Sequence, residues 1–472
     1  MAPKIFAASA LALCLASSVP ALAQDKHYEP TLESLDSHPL PAWYDDAKLG
    51  IFIHWGLYSV PGWAPVSHSD HNWTADDYFK YDPYAEWYYN TVRIQGSPTQ
   101  EYDRQHYGPD HNYYDFAGEF NKESKKWDPK KMAAIFRDAG AKYVVLTTKH
   151  HEGFTLWPSK VYNVNQPNLH AERDITGELT EAVRADGLKM GLYYSGGLDW
   201  TFNRGPIAGA DFEATKPQSQ AYGDYAFAQA EELVKLYHPA VLWNDIDWPK
   251  TGKPLQFMAD YYNAIPDGVL DDRFGVQHSD FTSPEYAKLD QISKKKWEEC
   301  RGLGASFGYN RAEGENETIK PQDLIELLVD IVSKNGNLLL DVGPMPDGSI
   351  PPIQMDRLEK LGAWMKQNGE AIYGTHPWAR ANGTTNQVTA SGRPVELRFT
   401  QKDSSLYVTI FDKPASSTIL LHNLKAAPGS QITLLGGSGP VKWTQRADDL
   451  EVTLPANLPG SYAWVLKLQP AK

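Results

Sequence analysis

From about residue 45 to residue 375 the chain repeats one pattern. A short run of continuous apolar residues is followed by a longer stretch of helical period. The apolar runs fall at 48–54, 143–148, 189–195, 240–245, 269–274 and 337–342. The helical stretches fall at 132–139, 176–186, 225–237, 255–265, 324–333 and 355–368. A strand with one face in water alternates apolar and polar residues. A strand apolar throughout is covered on both faces, as in a parallel sheet between layers of helices. About seven such units predict an α/β fold built as a (β/α)8-type barrel. The stretch 280–310 has no clear helix, so the barrel is expected to be irregular there.

The pattern changes after residue 375. Short strand-like runs at 395–399, 406–411, 417–421, 431–435, 450–454 and 462–468 are separated by Gly, Pro, Asp and Asn. Turn residues recur at roughly 8–12-residue intervals, which predicts a C-terminal antiparallel β-sandwich over 376–472. The 472 residues accommodate both units. At the other end, Lys4, an apolar run over 5–19, and Pro20 before Ala21-Leu22-Ala23 form a signal peptide over 1–23, with cleavage expected before Gln24. The catalytic domain then spans 24–375.

Removing the signal peptide removes Cys14 and leaves Cys300 as the single cysteine, so no internal disulfide can form. That suits export to a bacterial periplasm better than a disulfide-stapled secreted fold. The net charge is −14 and no basic residues cluster, which argues against a nucleic-acid partner. No second run of 18 apolar residues follows the signal, so no membrane association is expected. Oligomeric state is left open, a homo-oligomer included.

A parallel barrel carries its chemistry at the C-terminal ends of its strands. Those ends hold His54 and Trp55; His150, His151 and Glu152; Tyr194, Asp199 and Trp200; Trp243, Asn244 and Asp245; and Asp272 with Arg273. Several markers of other chemistries are missing. The first strand end reads Ile53-His54-Trp55 rather than His-x-His, and Thr155 stands where a His-Glu-x-x-His helix would need its second histidine. No metal and no other cofactor is therefore expected. Gly-x-Ser-x-Gly and Walker motifs are also missing. What remains is carboxylate chemistry flanked by Trp and His, which fits glycoside hydrolysis. The 15 Trp and 26 Tyr supply flat apolar faces on which sugar rings pack.

Six segments narrow this further: WYDDAKLGIFIHWGLYSVPGWAP (43–65), AEWYYN (85–90), GAKYVVLTTKHHEGFTLWPS (140–159), GLYYSGGLDW (191–200), LWNDIDWP (242–249) and SFGYNR (306–311). In these the chain resembles glycoside hydrolase family 29, the α-L-fucosidases, over nearly its whole mature length. The resemblance implies an exo-acting, retaining α-L-fucosidase that takes terminal fucose from a fucosylated glycan by double displacement, without a cofactor. It makes Asp245, the aspartate of Leu-Trp-x-Asp, the nucleophile, with Asp247 its neighbouring rival. Glu285, twelve residues after Arg273, is implied as the general acid/base. Glu298 is its main rival and Asp280 a more distant one. His54, Glu86, Trp87, His150, His151, Tyr194, Trp243 and Arg273 match positions that surround the sugar. A wall for the C5 methyl group is expected from residues such as Phe52 or Trp243. The C-terminal domain is expected to have a structural role.

Overall fold

Parallel pairing and a two-residue side-chain period divide the catalytic domain into a lumen and a helix-covered outer face. The computed structural model describes residues 26–67, 70, 77–203, 205–209, 212–389 and 392–470; the signal peptide expected over 1–23 lies outside them. Seven strands form one sheet: β1 (Leu49–Ile53), β2 (Tyr143–Lys149), β3 (Lys189–Ser195), β4 (Val241–Asp245), β5 (Val269–Leu270), β6 (Trp297–Gly302) and β7 (Gly336–Val342). They run in the order β5-β4-β3-β2-β1-β7-β6, and every pairing is parallel. Phe52, Tyr143, Val145, Tyr193, Trp243 and Leu339 pack together inside the curved sheet. Their strand neighbours Ile51, Ile53, Val144, Leu192, Tyr194 and Leu338 join the core beneath the helices. Both sets are buried, which is why the strands read as continuous apolar runs.

The sheet is a half-barrel with a gap between β5 and β6. Residues 280–286 run through that gap. The amide of Asp280 donates to the Leu270 carbonyl (3.0 Å), Thr282 donates to the Lys296 carbonyl (3.2 Å) and Cys300 to the Pro284 carbonyl (3.1 Å). Isolated parallel bridges join Thr282 to Trp297 and Glu285 to Cys300. The irregularity expected over 280–310 falls here. The strand expected over 269–274 is cut to two residues, because Asp271, Asp272 and Arg273 turn away into polar contacts. β6 was not foreseen. It buries Glu298 and Glu299 in a strand that has no apolar run.

The C-terminal domain contains β8 (His376–Val388), β9 (Pro394–Lys402), β10 (Ser405–Phe411), β11 (Thr418–Leu421), β12 (Gln431–Leu434), β13 (Lys442–Arg446), β14 (Asp449–Thr453) and β15 (Ala463–Gln469). Their antiparallel order is β12-β15-β10-β9-β8-β11-β14-β13. A bridge from Thr433 to Pro440 and a Val441 amide bond to the Ile432 carbonyl (2.8 Å) draw the two ends together, so the sandwich is nearly a closed barrel. Val395, Leu397, Phe399, Ile410, Val452 and Leu466 fill it. It docks on the catalytic domain through Arg398 Nε to Asp330 Oδ1 (2.6 Å) and Trp364 Nε1 to the Ala463 carbonyl (2.9 Å). Among the described residues no helix is long and apolar enough to cross a membrane.

Candidate active site

The C-terminal ends of β1 to β4 and the irregular segment 280–286 surround a cavity of about 170 Å³. That is small beside the roughly 300–1,000 Å³ of drug-sized pockets. Asp245, the last residue of β4, stands in its wall. Its Oδ1 accepts from Arg273 Nη1 (2.9 Å) and from the amide of Ile246 (2.9 Å), and its Oδ2 accepts from the Tyr193 hydroxyl (2.8 Å). Ile246 and Asp247 follow with φ of 57° and 73°. A β-branched residue in that region is strained by about 1–3 kcal/mol, so the turn is held by its surroundings. Gly197 is one of the holders: a Cβ there would lie 1.6 Å from the Ile246 carbonyl oxygen.

Arg273 ties the wall to the rim. Its Nη1 also lies 2.7 Å from Glu285 Oε1, so one nitrogen bridges two carboxylates. The guanidinium is fixed by Nε to Ser283 Oγ (3.0 Å) and Nη2 to the Ser283 carbonyl (2.7 Å), and it lies 4.4 Å over the Trp243 ring. Two oxygens that share one donor sit no farther apart than those two bond lengths end to end. That bound lies below the separation of an inverting pair (about 6.5–9.5 Å). Asp245 is nearly buried, whereas the Glu285 side chain is 34% exposed.

The opposite wall is imidazole and aromatic. His151 Nδ1 lies 2.6 Å from Ser195 Oγ, and that hydroxyl donates to the Leu198 carbonyl (2.6 Å). The Ser195 oxygen must therefore accept, so Nδ1 carries the proton and Nε2 presents a lone pair. That Nε2 is 3.7 Å from Asp245 Oδ2. His54 Nδ1 is anchored on Asp341 Oδ1 (2.7 Å). Burial pushes the pKa of His150 down to about 3 and those of His54 and His151 well below the usual value. All three are neutral near pH 7. Glu86 accepts from the amide of Gly308 (2.7 Å) and from Ser306 Oγ (3.3 Å), and burial raises its pKa to about 7. Trp87 stands edge-on to His151 at 5.3 Å. Phe52, Trp243 and Phe307 supply apolar lining.

The ligand atoms of His150, His151 and Asp245 lie within 4.8 Å of one another, close enough to consider a metal ion. The same residues serve as hydrogen-bonding groups around a polar ring.

Of the residues singled out in the sequence, His54, Glu86, Trp87, His150, His151, Trp243, Asp245 and Glu285 line this one cavity, and Arg273 braces it. Tyr194 does not. Its side chain faces the helices, where the hydroxyl donates to Gln229 Oε1 (3.0 Å) and Lys149 Nζ lies 4.4 Å over the ring. The lining tyrosine of β3 is Tyr193, because successive strand residues point to opposite faces. Glu298 is also elsewhere. It lies below the cavity in the lumen, where Tyr44 (2.8 Å), Tyr143 and Trp243 Nε1 (3.2 Å) all donate to its carboxylate. Asp280 is engaged by Tyr262 (2.7 Å) and His38 (2.9 Å) away from the cavity. Asp247 pairs with Lys216 (2.6 Å) outside it. Cys300 does line the floor, with its thiol pushed well up by burial and so not a thiolate. Tyr78, Asp82, Tyr84, Ile246 and Phe307 are lining residues not anticipated from the sequence. Tyr193 lies in a strand buried on both faces, where the sequence does not say which face is the lumen; the others come from loops with no periodic signal.

Paired carboxylates joined by an arginine at the strand ends of a parallel half-barrel, facing neutral histidines and aromatic rings, define a glycoside hydrolase. The profile of the α-L-fucosidase family matches residues 15–370, and that of the α-L-fucosidase C-terminal domain matches 393–469. Rattus norvegicus tissue α-L-fucosidase is 36% identical, over 94% of this chain and 92% of its own length. Homo sapiens tissue α-L-fucosidase is 34% identical over 98% and 96%. The crystal structure of Thermotoga maritima α-fucosidase in complex with a mechanism based inhibitor superposes with a TM-score of 0.85 at 43% identity, covering 94% of this chain and all of that one. The chain belongs to the α-L-fucosidases of glycoside hydrolase family 29. Its activity is that of an α-L-fucosidase on fucosylated substrates.

The two tyrosines give a test of side-chain direction. Tyr193→Phe removes a hydrogen bond to the Asp245 carboxylate, worth roughly 1.5–3 kcal/mol for a charged acceptor. It is expected to lower kcat/KM for 4-nitrophenyl α-L-fucoside by about 10- to 100-fold. Tyr194→Phe is expected to leave kcat/KM within about twofold and to lower stability by about 1 kcal/mol, read from urea unfolding. Equal kinetic effects of the two changes would refute this assignment.

Proposed function

We propose that the enzyme is exo-acting and retaining, with Asp245 as nucleophile and Glu285 as general acid/base. The observation that carries this reading is the single Arg273 nitrogen, 2.9 Å from Asp245 and 2.7 Å from Glu285. In the first step an Asp245 oxygen attacks the anomeric carbon of a terminal α-L-fucosyl unit. The glycosidic C–O bond breaks, and the leaving oxygen keeps the electron pair and takes the proton of Glu285. In the second step Glu285, now a carboxylate, removes a proton from water. The hydroxide oxygen bonds to the anomeric carbon, and the carbon–Asp245 bond breaks. Both carboxyl groups return to their starting forms.

The cavity's small volume suits one terminal sugar. His54, Glu86, Trp87, His150 and His151 supply donors and acceptors for the ring hydroxyls, and Phe52, Trp243 and Phe307 an apolar wall for the methyl group. A sugar with a hydroxymethyl group there would bury an unpaired hydroxyl. The mature enzyme is inferred to begin at Gln24 after export to the periplasm, with no nucleic-acid partner; N-terminal sequencing of secreted material checks the cleavage site.

The stereochemical test is direct. Proton NMR of 4-nitrophenyl α-L-fucoside hydrolysis should show α-L-fucose as the first product, with β-fucose growing in only by mutarotation. First appearance of β-fucose would overturn the double-displacement reading.

A further inference from the structure

The turn that follows β2 carries a buried carboxyl group with no place yet in the site. The amide of Gly153 donates to the His150 carbonyl (3.1 Å) and closes the turn His150-His151-Glu152-Gly153. Gly153 has φ of 81°, and a Cβ there would lie 2.9 Å from Asp199 Oδ1, so the turn needs glycine. It brings the Glu152 side chain back onto His150. Glu152 Oε2 lies 3.7 Å from His150 Nδ1, with the two side chains 1% and 3% exposed. Among the described residues neither atom has a hydrogen-bond partner. We propose that Glu152 is a positioning residue for the fucosyl ring: its carboxylic acid donates to His150 Nδ1 and so fixes the His150 proton on Nε2, the nitrogen left to the cavity. This rests on the reading that the cavity seats that ring with His150 against a hydroxyl.

Two buried polar atoms that face each other and nothing else are costly apart and satisfied together. At 3.7 Å the contact is longer than a hydrogen bond, and contacts of this kind tighten when substrate loads the ring. The protons are placed for it. Burial raises the Glu152 pKa to about 8, and the backbone amides of Glu152 itself and Leu57 offset only part of that rise. The charged groups facing it are Asp199 and Lys149, which act on it in opposite senses and are paired with each other at 3.0 Å. The hydroxyls of Tyr58 and Tyr113 also face it, both held neutral by burial. His150, whose own charged neighbours are Asp245 and Lys149, stays neutral because burial holds it at about 3. Near pH 7 the carboxyl therefore keeps its proton and donates it to an imidazole nitrogen that cannot take it. His151 is set the other way. Its ring centroid is 4.0 Å from that of His150, Ser195 fixes its proton on Nδ1, and its Nε2 presents a lone pair. The adjacent imidazoles thus show the sugar one donor and one acceptor. Without Glu152, His150 is free to carry its proton on Nδ1 and turn a second lone pair on a hydroxyl oxygen.

The test is a double-mutant cycle on kcat/KM for 4-nitrophenyl α-L-fucoside at pH 7. Glu152→Leu removes the donor and is expected to cost about tenfold or more. His150→Ala removes the imidazole itself and should cost at least as much. In the His150→Ala background, Glu152→Leu should add less than about twofold, because a residue that acts through His150 has nothing left to position. Glu152→Gln keeps a donor for Nδ1 and should restore kcat/KM to within about threefold of wild type. Additive losses, or a Gln variant as poor as Leu, would overturn the proposal and leave Glu152 a packing role. The pH profile is a second measurement that does not depend on the Leu variant folding. With 2,4-dinitrophenyl α-L-fucoside, whose leaving group needs no proton, wild-type kcat/KM should fall as pH rises past about 8 and Glu152 ionises. Glu152→Gln should lose that limb, and an identical limb in both enzymes would also overturn the proposal. A folded His150→Ala protein with wild-type kcat/KM would instead sink the reading of the cavity beneath it, and the proposal with it.

Discussion

Replacing Asp245 with glycine is expected to lower kcat for 4-nitrophenyl α-L-fucoside by roughly 10⁴-fold or more, the scale on which loss of a nucleophile acts. The loss should be reversible in a diagnostic way. Removing the carboxylate empties a space bounded by Tyr193, which keeps its ring against Trp243, and by His151 and Arg273, which keep their bonds to Ser195 and Ser283. Azide fits that space and carries the charge that Arg273 and Tyr193 are placed to meet. It attacks the same face of the anomeric carbon as Asp245 would, while Glu285 still protonates the leaving oxygen. One displacement gives β-L-fucosyl azide, with inverted configuration. Rescue with that product assigns the nucleophile. A folded Asp245→Gly protein that keeps more than about a hundredth of the activity, or that azide does not accelerate, would refute the assignment.

Asp245 was legible as one of several polar residues at the strand ends, and only the family resemblance singled it out as a nucleophile. Six of the seven parallel strands were legible because burial on both faces writes a continuous apolar run, and six helices were legible by their period, whereas the helices Pro98–His106 and Phe116–Glu123 were not foreseen. β6 was not, because Glu298 is satisfied by partners far away in the chain. Tyr44 and Tyr143 reach Glu298 from 254 and 155 residues off. Strands β8 and β13 were missed because they carry mostly polar, partly exposed side chains. The exchange of Tyr194 for Tyr193 is a parity error of one residue, and only the register of β3 against β4, with Tyr193 beside Trp243, decides it. The carboxylate pair itself was not legible as a geometry. The twelve-residue spacing of Arg273 and Glu285 named the residues, but the bridge depends on the path of 280–286 through the gap beside β6. That path is set by backbone bonds to Lys296, Glu298 and Cys300 that no local pattern announces.

Glu285→Ala is expected to split substrates by their leaving groups. An acid matters only where the departing oxygen needs a proton. Hydrolysis of a fucosyl disaccharide should fall by about 10²–10⁴-fold, the usual worth of general acid catalysis. With 2,4-dinitrophenyl α-L-fucoside the first step should be nearly unaffected, because that phenolate leaves unprotonated. The second step still lacks its base, so the fucosyl-enzyme on Asp245 accumulates and a burst of phenolate precedes a slow steady state. Azide needs no base and should take the fucosyl group from Asp245, a second inversion that yields α-L-fucosyl azide. The two variants thus give opposite azide anomers, β from Asp245→Gly and α from Glu285→Ala, and a shared anomer would be incompatible with a double displacement through this pair. Glu298→Gln tests the remaining rival. Three donors, Tyr44, Tyr143 and Trp243, already hold the Glu298 carboxylate beneath the floor. A proton held there has no path to a glycosidic oxygen at the rim, so this variant should show no leaving-group split and form no fucosyl azide. A split with Glu298→Gln and none with Glu285→Ala would transfer the acid/base role to Glu298.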